Sequence, residues 1–388
     1  MARLLDNGGT SPQTIGMRGR LATGVVVCVV TALACLPSRA WSETLLAVGS
    51  VYNTTSPDGS RLSEPLILRL GAGGWELVQV QAVSGGALLG VAVVGEQHAW
   101  AFGQRPDGGL LLRSSDGGAT WEDLSSALAY YAPGQVPVAA AFADGSRGWI
   151  VARAVGGGGP NVFVTGDAGS TWSFLPDTGP RSVAGTYSLR LVSEDTVQLA
   201  VGHPTGTSVR TIEGGRTQVE EGGGKHLLAS AFGAKGNEWW AVGREGWTPD
   251  GGPDSATIQH ANAGMLWAGT KVELGARVDF HAIDFADAIR GLAGGQVIVE
   301  DSREPAALIL ATADGGASWE RSTLPSDLGS TRVAALMCVG ENVAWGAANR
   351  VGDTGVALLY TSDGGLTWSR MPSGVDATGR IRAFGRSR

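Results

Sequence analysis

Apolar positions in this chain come in short runs without helical spacing, and each run is cut by a glycine-rich turn. Four runs, Leu110-Leu111-Leu112, Val162-Phe163-Val164, Leu308-Ile309-Leu310 and Leu358-Leu359-Tyr360, lead into one eight-residue pattern. It reads SSDGGATW from Ser114, TGDAGSTW from Thr165, TADGGASW from Thr312 and TSDGGLTW from Thr361. A strand, a tight turn with Gly and a second strand beginning at Thr-Trp predict a β-hairpin. In that turn Asp116, Asp167, Asp314 and Asp363 can accept backbone N–H groups ahead of them. Gly118, Gly169, Gly316 and Gly365 supply φ > 0, and Trp121, Trp172, Trp319 and Trp368 are large enough to wedge between packed sheets. One carboxylate per turn is a poor cation cage, so these acids read as structural, with no metal and no cofactor expected.

The spacing of the turns predicts the architecture. Asp116 and Asp167 are 51 residues apart, Asp314 and Asp363 are 49 apart, and the gap between the pairs is 147. Two degenerate copies fill that gap, Thr211 to Thr217 with Glu213 for Asp and His260 to Trp267 with Asn262 for Asp. A remnant upstream runs from Leu66 through Gly71-Ala72-Gly73-Gly74 to Trp75, giving seven units at a period near 49. A second motif keeps step with the first: Trp100-Ala101-Phe102-Gly103, Trp149-Ile150-Val151-Ala152, Leu199-Ala200-Val201-Gly202, Trp240-Ala241-Val242-Gly243, Leu292-Ala293-Gly294-Gly295 and Trp345-Gly346-Ala347-Ala348. Alanine-rich runs before most of these suit the crowded innermost strand of a radial sheet. Each unit therefore reads as four antiparallel strands, and the chain as an all-β, seven-bladed β-propeller. The first unit lacks an innermost strand, and Gly379 to Gly385 supplies a spare one, so pairing of the two termini is predicted to close the ring.

The eight-residue pattern resembles the Asp-box, or bacterial neuraminidase repeat. It is shared by sialidases, sortilin-type receptors, xyloglucanases and photosystem II assembly-factor-like proteins. Together with the Trp-x-x-Gly strands over the whole mature chain, it is most similar to the photosystem II stability/assembly-factor family. That resemblance implies an exported, non-catalytic propeller that binds partner proteins through an arginine-bearing face. Basic residues stand just before the predicted innermost strands at Arg181, Lys225, Arg277, Arg332 and Arg380, where they can surround the axial opening.

The alternative is a glycan-binding or glycoside-hydrolysing propeller. The Phe/Tyr-Arg-Ile-Pro motif of sialidases is absent, and Tyr360 belongs to a strand before a turn. Glycosidases need two facing carboxylates, and Glu220, Glu221, Asp284 and Asp327 are the candidates. Asp284 interrupts an innermost strand. The loop holding Asp250 and Asp254 reads as a turn, and Tyr130-Tyr131 as an aromatic lid over the core.

Residues 1–40 stand apart. Arg18 and Arg20 precede an apolar run from Leu21 to Leu36, and Ser38-Arg39-Ala40 ends in small residues, the make-up of a secretory signal peptide cleaved after Ala40. The run is short for a membrane span, and Cys35 makes a poor lipoprotein site. The expectation is a secreted or periplasmic domain over residues 41–388, with no stable membrane span after cleavage. Its lone cysteine, Cys338, reads as a small buried residue. The net charge of −7 becomes about −10 once the four Arg and one Asp of residues 1–40 are set aside. An acidic chain without a basic block argues against a nucleic-acid partner.

Overall fold

The computed structural model describes residues 43–55, 61–80, 83, 85–155, 160–176, 185–203, 206–221, 227–235, 238–245, 255–262, 268–271, 277–298, 304–352 and 354–387. The predicted signal peptide over residues 1–40 lies outside them. Among the described residues no helix is long and apolar enough to cross a membrane.

The first blade takes β1 (Leu45–Thr55), β2 (Arg61–Gly71) and β3 (Gly74–Val78). The second holds β4 (Ala87–Val94), β5 (His98–Arg105), β6 (Gly108–Ser114) and β7 (Glu122–Asp123), followed by the short helix α1 (Ser125–Tyr131). Next come β8 (Gln135–Phe142), β9 (Gly148–Ala154), β10 (Asn161–Thr165) and β11 (Ser173–Leu175). The fourth blade has β12 (Thr186–Ser193), β13 (Thr196–His203), β14 (Gly206–Glu213) and β15 (Arg216–Glu221). The fifth has β16 (Leu227–Lys235), β17 (Glu238–Glu245), β18 (Ser255–Asn262) and β19 (Ala268–Lys271). The sixth has β20 (Arg277–Phe285), β21 (Gly291–Ile298), β22 (Pro305–Thr312) and β23 (Glu320–Arg321). The seventh has β24 (Thr331–Cys338), β25 (Ala344–Arg350), β26 (Val356–Thr361) and β27 (Ser369–Met371). Last, β28 (Gly379–Arg386) returns to pair with β1, completing the order β28-β1-β2-β3. Seven sheets of four antiparallel strands result, as the repeat predicts. Their innermost strands touch in a closed circle, β4 to β8, β12, β16, β20, β24, β28 and back to β4.

Indoles from the second strands fill the gaps between blades. Trp100 stacks on Phe142 of the next blade at 3.6 Å, Trp240 meets Phe285 at 4.7 Å, and Trp345 meets Trp75 across the seam at 5.3 Å. The fourth blade departs from the predicted alignment by one residue. Leu199 packs backward on Trp149, while Gln198 stands opposite Arg190 in the slot that Trp149 or Trp240 fills elsewhere. A polar pair thus replaces the Ala141–Trp149 and Gly233–Trp240 pairs of the neighbouring blades, which is why the motif misreads there.

All four complete turns share the bonds of the carboxylate to the hydroxyl and N–H of the residue four places on and of the first hydroxyl to the turn glycine's N–H, and the turn at Asp116 adds two more. Asp116 Oδ1 accepts the N–H groups of Ala119 (3.0 Å) and Thr120 (2.9 Å), and the Thr120 hydroxyl donates to Oδ2 at 2.6 Å. Ser114 Oγ accepts the Gly118 N–H at 2.8 Å, and the Trp121 indole N–H donates to Gly118 O at 3.1 Å. The turn glycine faces the preceding blade: at Gly316 (φ +88°) a Cβ would strike the Trp240 ring. Trp172 and Trp368 are buried wedges, each donating to its turn glycine's carbonyl. Trp319 and Trp121 are only half-buried, which corrects the uniform wedge expected of them. The degenerate copies also change shape. Glu213 pairs with Arg216 across a two-residue turn, Gly214 (φ 54°) and Gly215 (φ 79°), and Gly71 pairs with Gly74. The first is a type I′ hairpin turn, whereas at the second the positive φ falls on Gly74 (117°), after the two central residues; neither is carboxylate-capped. The copy at His260 runs out of the described residues after Asn262.

Candidate functional site

Antiparallel order defines two faces. Innermost strands begin on the upper face, which also takes the links from one blade to the next. The carboxylate turns lie on the lower face, beside the turns between first and second strands. There Arg147 pairs with Asp195 of the next blade, and Arg290 binds Asp287 (3.3 Å) and Glu341 of the next blade (2.9 Å).

Register places three ionisable residues at one level of the upper face. Asp279 stands opposite Gln296, Arg332 opposite Asn349, and Arg380 opposite Ser50, on three successive innermost strands. Just below, β28 carries a bulge whose extra residue is Arg382, between the partners of Val48 and Gly49. Bulges at matching places in β4, β8, β16, β20 and β24 show this to be a property of the blade, and a bulge re-aims its side chain. Arg382 is exposed, Arg332 and Arg380 are half-buried, and Asp279 is buried with its carboxylate accepting from Gln296 Nε2 at 3.1 Å. The Arg380 guanidinium lies 5.8 Å from the centre of the Tyr52 ring. Asn349 fixes the strand that carries Arg380 and Arg382. Its Nδ2 donates to Ile381 O at 2.7 Å, and its Oδ1 accepts the Ile381 N–H at 3.0 Å.

The charges feel one another. Burial, then repulsion from Arg382 and Arg380, pulls Arg332 below the usual guanidinium range, against an opposing pull from Asp279. Three guanidinium groups and one carboxylate therefore form a basic spot on a chain of net charge −7. Of the five basic residues the sequence singles out, Arg332 and Arg380 come together. Arg277 is exposed at the first position of β20, on the strand of Asp279, and Arg181 and Lys225 lie outside the described residues. Arg382 is the residue that strand periodicity alone misses, because the bulge that positions it leaves no composition signal.

Below the arginines runs an axial cavity of about 420 Å³, walled by the innermost strands. Arg190, Asp284 and Arg386 line it. Asp284 Oδ2 accepts the Cys338 N–H at 2.8 Å, and Arg386 Nη1 donates to Cys338 O, so these charges link the sixth, seventh and first blades. Arg190 donates to Gln198 Oε1 (2.9 and 2.6 Å) and Glu238 O (3.1 Å), 4.8 Å from the centre of the Trp239 ring, which joins the fourth and fifth. Burial, then the Asp284 charge, pushes the Cys338 thiol well up, matching its reading as an inert core residue.

The carboxylates considered for glycoside cleavage are scattered. Asp284 is engaged on the axis, while Asp327 pairs with Arg370 on the outermost strand of the seventh blade at 3.2 Å. Glu220 and Glu221 end β15, an outermost strand, with side chains outside the described residues, as are Asp250 and Asp254. The aromatic-lid reading is overturned. Leu124, Leu128 and Ala132 cover the core beneath α1, while Tyr130 is 80% and Tyr131 40% exposed.

No family model and no curated protein matches the sequence. Solved structures do match. A structure described as YCF48 bound to D1 peptide has 20% identity and a TM-score of 0.53 over 76% of this chain and 85% of that one. YCF48 from Cyanidioschyzon merolae has 16% identity and a TM-score of 0.51 over 75% and 86%. One from a study of two prolyl endopeptidases has 12% identity and a TM-score of 0.52 over 89% of this chain and 53% of that one. At these identities the likeness is one of fold.

Proposed function

We propose that the chain is an exported, non-catalytic propeller whose upper face docks an acidic segment of a partner protein. The observation behind this reading is the convergence of Arg332, Arg380 and Arg382 at the start of two successive innermost strands, where burial and then the like charges of Arg382 and Arg380 depress Arg332. Guanidinium groups held so close repel one another, and a carboxylate-bearing ligand relieves that repulsion with charge-assisted, bidentate hydrogen bonds. Arg277 adds charge at the rim, and Arg181 and Lys225 precede innermost strands in the same way. Asn349 bonds both backbone groups of Ile381 and so fixes the strand that carries Arg380 and Arg382, which leaves less backbone ordering for binding to impose. That a solved structure of similar fold has a peptide bound supports a peptide as ligand.

The test is fluorescence anisotropy with a labelled Asp/Glu-rich peptide and its Asn/Gln counterpart. Binding of the acidic peptide alone is expected, weakening steeply with salt, because exposed charges are screened beyond ~8 Å at physiological ionic strength. Arg382→Glu is expected to weaken it about tenfold or more, roughly 1.4 kcal/mol. Equal binding of both peptides would refute the reading. Export is tested separately: the protein recovered outside the cytoplasm is expected to begin at Trp41.

A further inference from the structure

The basic spot is one sector of a ring of equivalent positions. In β20, β24 and β28 the residue two places before the bulge is Asp279, Arg332 or Arg380, while in β4, β8 and β16 the same place holds Ala87, Val136 or Leu228. Charge at this level is thus confined to three successive blades, and one of its three carriers is an acid. Asp279 is 7% exposed, deeper than the half-buried arginines beside it, and Gln296 Nε2 donates to its carboxylate at 3.1 Å. A carboxylate taken that far out of water is costly unless opposite charge faces it. The neighbouring strand supplies that charge: β20 packs on β24, and the Asp279 charge favours the Arg332 guanidinium while burial, Arg382 and Arg380 oppose it.

We propose that Asp279 is the resident counter-ion of the arginine spot: it balances Arg332 in the empty protein, and a partner's carboxylate takes over that role on docking. This rests on the docking function proposed above and specifies its ligand. A lone carboxylate gains little at Arg332, because it exchanges one favourable charge pairing for another. Tight binding therefore needs at least two acidic residues, one competing with Asp279 for Arg332 and another meeting the exposed Arg382 directly. Asp279 in this way discriminates against ligands with isolated acidic groups. The same carboxylate stabilises the empty ring and weakens the complex, so removing it moves stability and affinity in opposite directions.

The experiment titrates the purified protein with labelled Gly-Ser peptides carrying one, two or four glutamates. Asp279→Asn keeps the shape of the side chain and an acceptor for Gln296. It is expected to bind each peptide about fivefold or more tightly than the unaltered protein, since a competing charge at short range is gone. Its melting temperature without peptide is expected to fall, and saturating peptide to raise it more than in the unaltered protein. Asp279→Ser, which drops the charge without supplying an amide, is expected to behave alike. In an Arg332→Gln background the Asp279→Asn change is expected to move affinity by less than about twofold, because the two charges act on each other. Asp327→Asn removes an acid that pairs with Arg370 on an outermost strand and is expected to leave every affinity unchanged. Affinity unchanged or weakened in both Asp279 variants overturns the counter-ion role and leaves acidic docking intact. So does a gain that persists without Arg332, an equal gain in Asp327→Asn, or a melting temperature that rises with the loss of Asp279. Failure of the unaltered protein and of both Asp279 variants to bind the four-glutamate peptide refutes the docking function itself.

Discussion

Trp368 and Trp319 occupy the same place in the repeat but differ in what holds them. Trp368 is 5% exposed and its indole N–H donates to Gly365 O at 3.0 Å. Trp319 is half-buried, and among the described residues its N–H has no acceptor. Urea melts should therefore show Trp368→Ala losing ~3–5 kcal/mol and Trp319→Ala clearly less. Equal losses would mean that exposure does not decide the cost. The turn aspartates supply a pH signature. The Ser318 hydroxyl and N–H, with the Thr312 hydroxyl, bring Asp314 from 3.8 down to about 2. In Asp116, Asp167 and Asp363 burial pushes upward, but hydrogen bonds to the turn outweigh it and the carboxyls stay low. A depressed folded-state value means stabilisation that is complete above the unfolded value near ~3.9 and drains as pH falls toward 2. Melting temperature should drop over that window, and Asp314→Asn should flatten part of the fall. Residue types and spacing made this bonding readable in the sequence. How deep each indole sits was not readable, because that depends on side chains far away in sequence, most of them on the neighbouring blade: Trp240 with the same blade's Phe285 around Trp319, Leu292 and Ile309 around Trp368.

Among elements, turn chemistry sets the length of the outermost strand. After a carboxylate turn these strands run two or three residues (β7, β11, β23, β27), whereas β3 and β15, after two-residue turns, run five and six. Bonds from the aspartate to the backbone ahead of it keep those residues from pairing with the third strand. The closing strand is the element on which the binding reading leans. Ile381 is fully buried, and its N–H and C=O both bond to Asn349. Removing that amide strands two backbone groups, each worth ~1–3 kcal/mol when left unmet in the interior. Asn349→Ala is therefore expected to speed amide exchange along β28 and to weaken acidic-peptide binding without touching an arginine. Unchanged exchange in β28 would break the link between Asn349 and the closing strand. Short apolar runs between glycine-rich turns revealed every strand class, but a bulge is one residue with no signature of its own. That is why Arg382 emerged only with the backbone, and why the fourth blade, with its bulge between Leu191 and Ser193, reads one residue out of step.

For the whole molecule, the ring removes open sheet edges except on the outermost strands, and both chain ends take part. Thr44 and Ser387 exchange hydrogen bonds of 3.1 Å just beyond the Leu45–Arg386 pair, at one end of the β1–β28 pairing. Deleting residues 379–388 should leave β1 an exposed edge and produce aggregation, seen as loss of the monomer peak in size-exclusion chromatography. The count of seven and the closure followed from the repeat period and from the unit left incomplete at the start. The basic spot of the upper face did not, since it depends on a bulge in β28 that brings Arg382 beside Arg332 and Arg380. The central claim is that acidic partners dock at the start of the innermost strands of the seventh and first blades. Hydrogen–deuterium exchange with and without saturating acidic peptide tests it most directly. The account expects added protection at Thr331–Val333 and Gly379–Ala383, lost in Arg382→Glu; protection confined to the carboxylate turns of the lower face, or to the outermost strands, would contradict it.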